Sequence, residues 1–130
     1  MEQELLNTLK EIRGILFVLT AVMIFVSLIW AVNWANNIVV NFKKSWEHNF
    51  INQANKYFEI ADFESLVLHC EKKLKKHPNH TNATWWLARA TQEMGKELEA
   101  KMLFERLLEL EPSWKDSHIE PYLKKLSGAQ

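Results

Sequence analysis

The sequence is poor in residues that break helices and in residues that form covalent cross-links. Its 130 residues include three glycines, three prolines and a single cysteine, Cys70. One cysteine excludes an internal disulfide bond. The 16 basic and 16 acidic residues cancel, so the chain lacks the basic excess of a generic nucleic-acid-binding surface. We therefore expect no nucleic-acid partner.

Sequence motifs for catalysis or metal binding are also missing. The chain contains no glycine-rich phosphate loop, no nucleophile elbow and no HExxH pattern. Residues of metal-ligand type cluster only at His69, Cys70, His77 and His80, whereas a zinc site needs two well-spaced pairs. We therefore expect no enzyme activity, no cofactor and no metal, and we interpret Cys70 as a core residue.

A long hydrophobic run lies near the amino terminus. The segment from Ile15 to Val32 carries no charge, and the uncharged stretch extends from Gly14 to Phe42. About 20 apolar residues in a helix cross the hydrocarbon layer of a bilayer. A signal peptide has a shorter apolar stretch followed by a small-residue cleavage site, whereas this run continues through Trp30 and Trp34, which suit the membrane interface.

This run predicts a retained single-pass anchor over residues 14–42, in the inner or plasma membrane of the cell, with membrane lipid as a partner. The alternative is a buried helix of a soluble protein, but nothing else in the chain is apolar enough to cover it.

The charges on the two sides of the predicted anchor are nearly balanced, so they hardly favour either orientation in the membrane. Residues 1–13 form either an amphipathic lead-in at the membrane surface or a plain extension of the membrane helix. Lys10 and Arg13 on one side match Lys43 and Lys44 on the other, so the positive-inside rule gives a tie. The lone thiol and the short amino-terminal segment favour a cytoplasmic carboxyl-terminal domain.

Small residues recur along one face of the predicted membrane helix. Ser27, Ala31 and Ala35 recur at every fourth position, and Thr20 lies two turns before Ser27 on the same side. Small side chains let two helix backbones approach closely in a bilayer. We expect this face to contact a second copy of the chain or another membrane subunit; the alternative is accidental spacing on a lipid-facing helix.

The region after Lys44 has the apolar spacing of amphipathic helices. Asp62 is placed to cap one helix, Thr81 or Asn82 to cap the next, and Gly95 to separate that helix from its successor. When the chain is shifted so that position 54 falls on position 88, small residues align with small ones, core residues with core residues, and the closing prolines coincide. The aligned pairs are Ala54 with Ala88, Tyr57 with Thr91, Ala61 with Gly95, Cys70 with Phe104, Leu74 with Leu108, and Pro78 with Pro112.

These positions resemble the tetratricopeptide repeat (TPR), a helix–turn–helix unit with the same period. Residues 81–114 carry the better copy, with Gly95 at the turn and Pro112 at the end, and residues 43–80 carry a degenerate first copy. Residues 115–130 look like a capping helix and tail, because Pro121 falls where a third repeat would need a mid-helix residue. Trp46 and Phe50 are expected to cover the other end. The predicted fold is all-α: one transmembrane helix, a two-repeat TPR-like domain and a capping helix.

The resemblance implies a groove lined by the first helix of each repeat. Its implied lining residues are Ile51, Asn55 and Phe58 from the first repeat and Asn82, Trp85, Arg89 and Gln92 from the second. Adjacent helical residues point in different directions, so Trp86 is predicted to enter the core and Trp85 the groove; the alternative is that both rings pack against neighbouring helices. The carboxylate clamp of chaperone-binding members is missing, because Ile51 and Trp86 stand where that clamp has lysine and asparagine.

These features predict a membrane-tethered interaction module that binds a helical or peptide segment of a protein partner, either another membrane subunit or a second copy. An apolar or amphipathic helix suits Ile51, Phe58 and Trp85 better than a charged chain end does. The alternative is an accessory structural subunit that is permanently packed in a multisubunit membrane complex.

Overall fold

The computed structural model describes residues 1–128, which form helices and turns without any strand. The chain divides into two compact units, Met1–Trp46 and Glu47–Gln130. The α-helices are α1 (Glu2–Glu59), α2 (Phe63–Lys76), α3 (Thr81–Glu93), α4 (Glu97–Leu110) and α5 (Glu120–Gly128). A 3₁₀ turn, Pro112–Trp114, and a π-helical turn, Lys115–Ile119, connect α4 to α5.

The first unit consists of the greater part of α1. Proline does not occur before position 78, and Gly14 is the one glycine in α1, so nothing in the sequence interrupts the helix. The most apolar 18-residue window of α1 has a mean hydropathy of 2.8, and none of it is buried. By length and composition this helix is able to cross a membrane, a property that core helices of soluble proteins and signal sequences share. The helix has no break at residue 13.

The turn from α1 to α2 follows the predicted cap. Ala61 adopts a left-handed backbone conformation with φ of 57° shortly after α1 ends. The Asp62 carboxylate then accepts a hydrogen bond of 3.2 Å from the backbone N–H of Ser65, which satisfies a donor in the first turn of α2. The prediction that Asp62 caps this helix is confirmed.

The start of α3 differs from expectation. The cap is His80, whose Nδ1 accepts a hydrogen bond of 3.0 Å from the backbone N–H of Ala83. The predicted caps, Thr81 and Asn82, already belong to the helix, and the Asn82 amide donates to Glu47. A histidine nitrogen thus takes the place of the usual serine, threonine, aspartate or asparagine oxygen.

Gly95 ends α3 as predicted. Its φ of +77° lies in the left-handed region that glycine adopts without steric cost. The N–H of Lys96 donates to the Thr91 carbonyl and the N–H of Gly95 to the Gln92 carbonyl, each at 3.0 Å. This pair of bonds is a Schellman motif, which satisfies carbonyls that the helix end leaves open.

Two hydrophobic clusters pack against different sides of α3. The first contains Phe50, Ala54, Leu66, Cys70, Ala83, Trp86, Leu87 and Ala90, and the second contains Ala88, Ala100, Phe104, Leu107, Ile119 and Leu126. The alanines have no exposed surface, so the helix backbones approach one another closely. Ile119 and Leu126 of the last segment are buried in the second cluster. Trp46 was expected to help cover the first repeat, but it is 65% exposed; the buried cover is Phe50.

Candidate partner-binding groove

Helices α1, α3 and α5 bring one cation and several aromatic rings together. The Arg89 guanidinium carbon lies 4.1 Å from the Phe58 ring centroid and 5.8 Å from the Tyr122 centroid. The same carbon lies 5.7 Å from the Trp85 ring and 5.3 Å from the Trp86 ring. We call the surface formed by Phe58, Trp85, Arg89 and Tyr122 the Arg89 face. It contains three of the residues that the resemblance assigns to the groove.

The two tryptophans have different surroundings. Trp86 is 7% exposed and packs against Phe58, with ring centroids 5.8 Å apart, which confirms its prediction as a core residue. Trp85 is half-buried, and its ring meets Phe104 at 5.9 Å and Tyr122 at 5.2 Å. Both rings therefore pack against neighbouring helices, which was the alternative arrangement, and part of Trp85 remains accessible on the Arg89 face.

A polar network joins the domain part of α1 to the start of α3. The Glu47 carboxylate accepts a hydrogen bond of 2.7 Å from the Asn82 amide and lies 2.8 Å from His80 Nε2. Desolvation raises the pKa of Glu47. The side-chain hydrogen bonds from Asn82 and His80, with the electrostatic contributions of His80 and Lys73, together lower it by more, so the net pKa of Glu47 is below its ordinary value. Asn82 was predicted to line the groove, but its side-chain amide donates a hydrogen bond within the domain.

The remaining predicted groove residues differ in burial and in whether their side chains form hydrogen bonds. Ile51 is half-buried and packs on the first hydrophobic cluster. Asn55 is exposed, and its amide donates to Glu59 at 2.8 Å. Gln92 is half-buried and makes no side-chain hydrogen bond within residues 1–128. It lies one helical turn after Arg89, so both side chains project from one side of α3.

Residues of metal-ligand type have separate environments. Across residues 1–128, no three His, Cys, Asp or Glu side chains are grouped to hold a metal. His69 stacks on Phe50 with centroids 4.6 Å apart, and Cys70 is fully buried. Burial, with a smaller contribution from the neighbouring Glu71 carboxylate, raises the pKa of the Cys70 thiol to about 12. A protonated, buried thiol is a poor nucleophile and a poor ligand.

The predicted association face lies on the exposed surface of α1. The hydroxyl of Thr20 donates to the Leu16 carbonyl and that of Ser27 to the Met23 carbonyl, each at 2.7 Å. These donors are therefore satisfied within the helix. Ser27 and Ala31 line a shallow depression whose other lining residues are Val26, Trp30 and Trp34. Ala35 is exposed as well.

Sequence reasoning missed Tyr122 and Glu47 as neighbours of the groove residues. Tyr122 lies in the segment that was expected only to be a capping helix and tail. The π-helical turn before it, closed by the N–H of Glu120 on the Lys115 carbonyl, adds a residue to the helical register. A strict repeat period does not anticipate that change. Glu47 carries no motif, and only the folded position of His80 reveals its role.

Among solved structures, the chain is similar to the first TPR domain of Spaghetti (RPAP3) bound to the HSP90 peptide SRMEEVD. The two are 31% identical in sequence, with a TM-score of 0.55. The similarity covers 60% of this chain and 60% of that chain. The fold is TPR-like. No protein-family model matches the chain, and no curated protein matches it.

The TPR-like fold confirms what the repeat period predicted for the helical domain. The Arg89 face is formed by residues of α1, α3 and α5. The family resemblance assigns the groove to the first helix of each repeat, and the sequence predicts α1 and α3 for that role.

Proposed function

We propose that this chain is a membrane-tethered adaptor whose TPR-like domain binds a helical or peptide segment of a protein partner. The Arg89 face carries the proposal, because it offers partly accessible rings from three helices around one cation. Aromatic and arginine side chains are enriched at the centres of protein interfaces. The peptide-bound state of the RPAP3 domain supports peptide binding by this TPR-like fold.

Tethering is the second part of the proposal. The apolar window of α1 finds no cover within the described chain, where it is fully exposed, and a bilayer would cover it. We expect the full chain to stay in the membrane fraction after an alkaline carbonate wash and to keep its full mass. The double variant Leu19→Arg with Val26→Arg should be released from the membrane, because each arginine raises the free energy of membrane insertion by roughly 2.5–3.5 kcal/mol at mid-membrane. The control, Leu19→Ala with Val26→Ala, should stay in the membrane fraction. A shortened product would identify a cleaved signal sequence instead.

The partner-binding part is tested by site-specific photocrosslinking in cells. A photoreactive residue in place of Gln92, on the side of α3 next to Arg89, should capture a defined partner, and the product should be lost in the Arg89→Ala background. The matched position is Lys101, exposed on α4, where we expect no product. Equal capture from both positions would contradict binding at the Arg89 face.

Permanent packing in a membrane complex is the second candidate function. Large apolar side chains outside the groove favour it: Leu68 on α2 is 66% exposed, and Leu98 and Met102 on α4 are 75% and 63% exposed. A permanent neighbour would cover them. Purification in mild detergent separates the two functions. Partners in fixed ratio that do not exchange, with crosslinks from Leu98 or Met102, identify a subunit; exchange of the partner identifies an adaptor.

A further inference from the structure

We infer that the Arg89 face binds a side-chain carboxylate of the partner segment, an aspartate or glutamate flanked by apolar residues. The inference rests on the proposed function, since it names the chemistry of the segment that the TPR-like domain would bind. The unused donors of Arg89 and the rings around them carry it.

The Arg89 guanidinium lies close to the Phe58 ring. A guanidinium carbon 4.1 Å from the Phe58 centroid places the cation directly against the ring. Cation–π contact uses the face of the guanidinium, whereas its five N–H donors lie in the plane and point outward from the edge. A cation–π contact uses none of the N–H donors of an arginine as conventional hydrogen bonds. The planar fork of donors of a guanidinium matches a carboxylate with two parallel hydrogen bonds.

Nothing within residues 1–128 uses these donors. The ion pairs there join Lys96 to Glu99 and Lys124 to Glu120, His80 is hydrogen-bonded to Glu47, and Arg89 belongs to none of these contacts. Arg89 also makes no side-chain hydrogen bond to the described residues, although it is half-buried. The side-chain amides of Asn55 and Asn82, by contrast, already donate to Glu59 and Glu47. Arg89 and Gln92 are therefore partly exposed donors of α3 whose side chains have no hydrogen-bond partner among the described residues.

The surroundings select one internal acidic side chain rather than a chain end. A single arginine between Phe58, Trp85 and Tyr122 offers one charged site with apolar rings on each side. A terminal carboxylate would need the lysine and asparagine that Ile51 and Trp86 replace in the clamp pattern. An acidic residue with apolar neighbours satisfies both the guanidinium and the rings. The peptide bound to the RPAP3 domain, SRMEEVD, also contains internal glutamates.

The test is a peptide selection against the full chain in detergent micelles. A random peptide library with amidated carboxyl ends is selected on the parent, on Arg89→Gln, on Arg89→Glu and on Lys101→Gln, an exposed matched control on α4. The parent and Lys101→Gln should enrich peptides with one fixed Asp or Glu beside apolar residues. Arg89→Gln should lose that preference, and Arg89→Glu should exchange it for Lys or Arg. For a selected peptide, replacing the acid by its amide should weaken binding to the parent about tenfold or more.

Each result is decisive. Selection of peptides without an acidic preference, or with one that Arg89→Gln retains, overturns the carboxylate site while leaving peptide binding in place. Failure to select any peptide overturns the proposed function, and the inference with it. Micelles with and without anionic lipid are a parallel probe: Arg89-dependent retention of anionic lipid that prevents peptide selection would overturn the peptide site and assign the cation to a lipid headgroup. The near-ultraviolet circular dichroism of each variant verifies that the aromatic packing persists.

Discussion

At the scale of single residues, the neighbouring tryptophans of α3 have different environments. Trp86 fills the first hydrophobic cluster against Phe58. Trp85 instead packs against both clusters, meets Phe104 and Tyr122 of the second, and remains partly exposed. One helix therefore contributes a core anchor and a surface ring from consecutive positions, because successive residues differ by about 100° in direction.

These environments give different costs for truncating each ring. Trp86→Ala should reduce the free energy of unfolding by roughly 3–5 kcal/mol, the range for removing a large buried side chain. Trp85→Ala should cost less, since its ring is only half-buried, yet more than the Lys101→Ala control, expected within about 0.5 kcal/mol of the parent. Urea unfolding of the full chain in micelles, followed by circular dichroism, measures all three. Equal losses for Trp85→Ala and Lys101→Ala would contradict the contacts of Trp85 with Phe104 and Tyr122.

Glu47 makes the domain sensitive to acid. Its folded pKa lies below the ordinary value of 4.5, so the ionised carboxylate stabilises the folded state above the unfolded pKa. That stability is lost as the pH falls below about 4.5 and through the folded pKa, because the folded state then takes up a proton later than the unfolded state does.

We therefore expect the melting temperature of the full chain to fall below that pH, and to fall less steeply in Glu47→Gln. Glu105→Gln, at an exposed position on α4, is the control and should keep the parental slope. Identical slopes for the parent and Glu47→Gln would show that the network of Glu47, His80 and Asn82 does not control acid stability.

At the scale of helices, the sequence predicted residues that act on their own neighbouring backbone. It did not predict residues whose position depends on contacts between helices. Asp62 and Gly95 were recognised because a capping carboxylate and a left-handed glycine act on their own backbone neighbours. His80 was missed as a cap because histidine is not among the residues that favour this position. Tyr122 was missed on the Arg89 face because the π-helical turn before α5 changes its register, and no short-range pattern predicts such a turn.

The amino-terminal helix also carries a testable face of its own. Since the hydroxyls of Thr20 and Ser27 already donate to carbonyls of α1, we expect close backbone approach at Ala31 and Ala35 to drive association rather than hydroxyl bonds between helices. Ala31→Leu should abolish crosslinking between membrane copies, or to another membrane subunit, by filling the depression beside Trp30 and Trp34.

Val32→Leu is the matched control, since it adds bulk on the neighbouring side of the same helix, and it should associate like the parent. If Ala31→Leu also associates like the parent in a membrane two-hybrid assay, the small residues face lipid. This experiment tests the predicted association face of Thr20, Ser27, Ala31 and Ala35 directly.

At the scale of the whole molecule, α1 contains both the exposed apolar run and residues of the domain core. The uncharged apolar run and the domain residues Phe50 and Ala54 all belong to α1, without proline or a glycine between them. The length and hydropathy of the run made it predictable that this helix is long and apolar enough to cross a membrane. Its orientation was not predictable, because the flanking charges cancel in the positive-inside comparison.

Orientation is therefore the last prediction: the TPR-like domain lies in the cytoplasm. Lys125→Cys places a thiol at an exposed position of α5, and Glu2→Cys places one at the opposite end of the described chain. A membrane-impermeant maleimide should label Glu2→Cys in intact cells, but Lys125→Cys only after the membrane is permeabilised. The native Cys70 should give no background, because it is buried and its pKa is raised to about 12. Labelling of Lys125→Cys alone in intact cells would reverse the orientation, and labelling of both would show that α1 does not span the membrane.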